Sequence, residues 1–133
     1  MQSGGFLESF RSCGWASWLA LLVCFAGMAA ALVGVLLALF GSKKAGWILG
    51  AVAVFFGLTT VLVGFVGRAH GMTVMEEALS SGSVSPDQRD MIRRFGTEEA
   101  NQCVKVGGTF AALPLLIGAT TIALALALRK KPA

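Results

Sequence analysis

Three stretches of this sequence, 16–41, 45–67 and 106–128, contain no charged residue. A hydrocarbon layer about 30 Å thick is crossed by roughly 20 helical residues, so each stretch is long enough to cross once. Only helix serves there, because lipid offers no hydrogen-bond partner to backbone N–H and C=O groups. Composition agrees: 56% of the 133 residues are hydrophobic and 14% charged, against about 25% charged in soluble domains. The expected fold class is an all-α membrane protein forming a single membrane domain, 1–133. It has three transmembrane helices and an extramembrane helical hairpin, 68–105, between the second and third.

The first apolar stretch is longer than the roughly 7–15 residues of a signal-peptide core. The box "LLVC" (21–24) has Val23 where a lipoprotein cleavage site wants a small residue. The segment therefore reads as an uncleaved span. Short loops rich in Lys and Arg stay in the cytoplasm. The turn "GSKKAG" (41–46) and the tail "RKKPA" (129–133) both qualify, and with three spans they share a side. The loop 68–105 carries five basic and six acidic residues and so has no retention bias. The expected location is a bacterial inner (plasma) membrane, multi-pass, N-terminus outside and C-terminus cytoplasmic.

In the second span Gly50, Gly57, Gly64 and Gly71 recur every seven residues, with Gly46 and Gly67 adding GxxxG spacings. Seven residues is close to two helical turns, so these glycines form one nearly straight groove. Membrane helices associate through close packing of small residues, which makes the groove a packing seam. The first span offers Gly27, Ala31 and Gly34 as a matching face, joined by a turn that forces an antiparallel neighbour. Packing within that pair of spans is one reading; association with a second copy or another membrane protein is the other.

Beyond the second span, Met72, Met75, Ala78 and Leu79 keep helical spacing until "SSGS" (80–83) breaks the helix. "SPDQ" (85–88) then starts another, with Ser85 as N-cap, Pro86 at the first helical position and Gln88 completing a capping box. Met91, Ile92 and Phe95 make one apolar stripe, and Gly96 marks a bend before the third span. The stripe either caps the bundle it belongs to or docks a partner. In the third span Pro114 cannot donate to Phe110 and should loosen the helix there.

Ionisable groups deep in a bilayer are functional candidates, but Arg68 lies about 36 Å along a helix from Lys44 at 1.5 Å per residue. That distance places it at the membrane boundary, where a long side chain reaches headgroups. His70 and Lys105 fall at the same level. Cys13 and Cys103 both lie near that boundary and can pair in an oxidising compartment if the first and third spans are adjacent. Two unpaired thiols is the simpler alternative. Cys24 lies in lipid.

Nothing resembles a reaction centre. One histidine without a nearby acid or nucleophile makes no triad, and three cysteines without metal spacing make no zinc site. The glycines lie within apolar helices, so no phosphate loop forms. Tyrosine is absent and no basic–aromatic interleaving occurs, which argues against nucleic acid. No catalytic, cofactor or metal residue is expected.

The run "GFVGRAHGM" (64–72) resembles the G-x-x-G-T-x-x-G-M/I segment in the second span of the MotA/TolQ/ExbB proton-channel family. The stretch 84–108 is similar to the family's approach to its third span, with Gly96, Glu99 and Ala100 filling a G-I-x-E-A pattern. The resemblance covers about residues 64–115. It departs where family threonines fall at Arg68 and Val104, and where "GSKKAG" replaces a large cytoplasmic region. It implies a reduced relative that has lost proton conduction.

Two functions follow. The first is a small non-enzymatic inner-membrane protein, a structural or accessory subunit associating through its glycine-lined face. Its partners are the lipid bilayer and itself or another membrane protein. The second is an accessory, proton-channel-like ion-conducting component with Thr59, Thr60, Thr109 and Thr120 lining a path.

Overall fold

The computed structural model describes residues 5–130; Lys131, part of the expected basic tail, lies outside them. Among these residues the chain is all-helical: α1 (Phe6–Ser12), α2 (Trp15–Phe40), α3 (Lys43–Ser80) and α4 (Pro86–Lys130), with no strand. The last three are each long and apolar enough to cross a membrane. Gly14, in the left-handed region at φ 63°, turns the chain between α1 and α2. Ser42 begins α3, its hydroxyl accepting from the Ala45 N–H.

The interior is built almost entirely from small residues. On α2 the buried positions are Ser17, Cys24, Ala31 and Ala38 in one seven-residue series, Ala20, Gly27 and Gly34 in a second, and Ala16 at the start of the helix. On α3 Gly46, Ala53, Thr60 and Gly67 form one series, and Gly50, Gly57 and Gly64 the other. On α4 Ala100, Gly107, Pro114 and Thr121 alternate with Ala111, Gly118 and Ala125. A sustained seven-residue period keeps one face of each helix on its neighbours, and small side chains let the backbones approach closely. Large apolar groups point outward: Leu22, Phe25, Phe55 and Leu116 are each more than 60% exposed. A water-soluble bundle buries its leucines and phenylalanines. This one displays them, as a chain dissolved in lipid does.

The structure corrects the expected use of the glycine groove. Gly50, Gly57, Gly64 and Gly71 lie against α4, meeting Gly118, Leu115, Gly107 and Ala100 in turn; of the four, Gly50 also meets the first span, its N 3.4 Å from where a Cβ of Gly34 would stand. Each step of seven along α3 meets a step back along α4. Helix α2 instead uses Gly46, which lies against Ala38, and Gly67, which lies against Ala16. The reason is rotational: α3 carries two small-residue series side by side, the all-glycine one lying mainly on α4 and the other between α2 and α4, with Gly67 meeting both Ala16 and Cys103.

Gly96 lies within α4, which runs unbroken from Pro86 to Lys130. The absent side chain at Gly96 makes room for Met75 of α3, whose Sδ lies 2.5 Å from where a Cβ would stand. Pro86 does open the helix, with the Gln88 and Arg89 N–H groups bonding the Ser85 carbonyl. The short helix α1 has no counterpart in the expected layout. It packs on α4, with Phe6 and Phe10 edge-on to Phe110 at 5.5 and 6.1 Å, and the Ser9 hydroxyl meeting Gln102 Oε1 at 2.7 Å.

Candidate functional site

The two ends of the bundle differ chemically. At one end Lys43 donates from Nζ to the Leu128 carbonyl at 2.8 Å, bringing the basic turn against the basic end of α4. At the other, Cys13 and Cys103 form a disulfide that ties the α1–α2 junction to α4. The two cysteines are buried with Ala16, and Val63 packs against the group. Gly67 permits this: its bare Cα leaves the Cys103 Sγ about 3.4 Å from the position of a Cβ.

Beside the disulfide lies an open cleft of about 570 Å³ between α3 and α4, at the end of the bundle away from Lys43. Gly67, Gly71, Met75, Ile92, Phe95 and Trp15 are among the residues that line it. Its ionisable groups are His70 and Glu99, both exposed. The His70 ring stands edge-on to Trp15 with centroids 6.1 Å apart. Phe95 and Met91 are 62% and 60% exposed at its mouth. Sequence reasoning marked the Met91–Ile92–Phe95 stripe and His70. It missed Trp15, and placed Glu99 only in a family pattern and not in a cleft, because their neighbours come from other helices.

Arg68 does not share this cleft. Two residues apart on a helix are rotated by about 200°, so Arg68 and His70 leave α3 on different sides. The Arg68 Nε donates to Asn101 Oδ1 at 2.8 Å, and Lys105 stands exposed one turn further along α4. The three boundary residues therefore form two groups, His70 at the cleft and Arg68 with Lys105 on another face.

The four threonines of the channel reading differ in burial. Thr60 is fully buried, while Thr109 and Thr120 are exposed. The hydroxyls of Thr59, Thr60, Thr109 and Thr120 each donate to the carbonyl four residues earlier in the same helix.

Pro114 is accommodated by a neighbour. The Phe110 carbonyl that it leaves without a helical donor accepts from the Cys24 thiol of α2, with Sγ to oxygen at 3.2 Å. The proline ring itself sits against Gly27, one turn along α2. An orphaned acceptor in an apolar interior costs about 1–3 kcal/mol, and the only free cysteine among the described residues meets it.

No family model, curated protein or solved structure matches the chain.

Proposed function

We propose that this chain is a multi-pass protein of a bacterial inner membrane, acting without catalysis as an accessory or structural subunit. Its N-terminus and residues 68–105 face outward and its C-terminus the cytoplasm. Its working surface is the apolar cleft on the part of α3 and α4 that continues beyond the charge-free stretches. Two features on opposite ends support this orientation. Lys43, Lys44, Arg129 and Lys130 gather at one end, where cytoplasmic loops carry their positive charge. The disulfide is at the other, and such bonds persist in oxidising compartments.

The observation that carries the reading is the exposure of Met91 and Phe95 beside that cleft. They lie past Lys105, outside the third charge-free stretch, where lipid tails do not cover them. The glycine face, which the sequence allows either to pack within the chain or to bind a partner, is filled by α4, so association uses another surface. In this reading the cleft receives an apolar segment of another membrane protein. A photocrosslinking residue in place of Phe95, in native membranes, should give one discrete adduct with a second protein. The same residue in place of Glu76, which does not line the cleft, should give none. A monomer without adducts, both in the membrane and in mild detergent, would defeat the proposal.

A further inference from the structure

We infer that the chain holds one anionic phospholipid by its phosphodiester, on the face of the α3–α4 seam marked by Arg68. This rests on the membrane reading above and adds a ligand at a different place from the cleft. Arg68 is exposed, and its Nε–H is engaged by Asn101. A guanidinium has five N–H donors in a planar fork, so four remain while Asn101 restrains the plane. Lys105 follows Asn101 by one turn toward the apolar part of α4 and is also exposed. Fork and ammonium thus flank one stretch of the seam, a pairing suited to phosphate oxygens.

What lies below this pair selects a lipid over a free anion. Gly108 and Ala112 continue the Asn101–Lys105 line at helical spacing, and both are exposed. A Cβ at Gly108 would meet nothing within 4 Å, so the surface is open there. On α3 the residue one turn below Arg68 is Phe65, 51% exposed. The result is a shallow apolar lane with cations at its head. From Gly108 the helix stays uncharged to Leu128, about 30 Å at 1.5 Å per residue, room for an acyl chain. Glu98, the nearest acid on this face of α4, stands one turn from Asn101 on the side away from the lane. A choline or ethanolamine headgroup would bring a third cation beside Arg68 and Lys105, whereas a glycerol headgroup would not.

Native mass spectrometry of the full chain in mild detergent, with equimolar phosphatidylglycerol and phosphatidylcholine, tests this. One phosphatidylglycerol per chain should be retained in preference to phosphatidylcholine. Arg68→Gln with Lys105→Gln should weaken it about thirty-fold, from ~1 kcal/mol per cation near a lipid surface. Gly108→Leu should also release it, with both charges in place. Equal retention of the two lipids, full retention by the double variant, or displacement by millimolar inorganic phosphate would overturn the inference. A chain that still requires detergent while failing these tests refutes the lipid site alone; one that stays dispersed without detergent refutes the membrane reading.

Discussion

Replacing Gly64 by leucine should separate α3 from α4 and prevent the native disulfide from forming in most molecules. A Cβ at Gly64 would stand 2.8 Å from the Cys103 carbonyl oxygen and 3.2 Å from the Gly107 Cα. Both are backbone atoms, so no rotamer change relieves the clash and the helices must move apart. Overpacking in cores costs about 1–3 kcal/mol, and a backbone obstacle puts this site at or above the top of that range. Cys103 sits at the obstructed turn, so its distance to Cys13 grows with the displacement. Non-reducing electrophoresis reads the disulfide, and thermal unfolding in mild detergent reads stability. Gly108→Leu is the control, because nothing lies within 4 Å of that position; it should match the parent in both. Parent-like behaviour of Gly64→Leu would contradict the observed helix contact.

Cys103→Ser should destabilise the chain by about 2–4 kcal/mol, the usual contribution of a disulfide. The cross-link spans 90 residues, which for a free chain falls near the upper end. Spans that remain helical in lipid already limit the unfolded ensemble, which lowers the expected figure toward ~2 kcal/mol. The loss should concentrate at α1, whose other ties to α4 are Ser9–Gln102 and the phenylalanine contacts. Limited proteolysis should nick the variant near Gly14 first. Reductant should lower the parent's unfolding temperature to that of the variant and leave the variant unchanged. Free thiols at both positions in protein taken from native membranes would contradict the pairing.

The sequence predicts the three long helices because absence of charge over a span length is a property of single segments. It also shows α4 starting at Pro86, since proline suits a first helical turn; the Gln88 N–H bonds the Ser85 carbonyl there rather than its hydroxyl. The glycine series is legible as a seam but not as a seam with α4, because the all-glycine face and the Gly46–Ala53–Thr60–Gly67 face lie side by side on α3. Choosing between them takes the relative rotation of three helices, which no one helix encodes. Pro114 announces an unsatisfied carbonyl at Phe110, yet the donor, Cys24, sits 86 residues away on another helix. α1 is hidden for a different reason: seven residues are too few to show a period, and its partner aromatics Trp18 and Phe110 lie in other segments. The cleft is legible in pieces, Met91, Ile92 and Phe95 on α4 and Gly71, Met75 and His70 on α3; that they share one cleft with Trp15 and Glu99 shows only once the helices are packed.

The proposed membrane layout requires α2, α3 and α4 each to cross the bilayer, with the disulfide end outside. Cysteines introduced singly at Ser42, Ser81 and Arg129 report this directly when probed with a membrane-impermeant maleimide on intact cells. The parent serves as the blank, since Cys24 is buried and the other two cysteines are paired. Ser81→Cys should label on intact cells, and Ser42→Cys and Arg129→Cys only after permeabilisation. Labelling of Ser42→Cys and Ser81→Cys from the same side would contradict it.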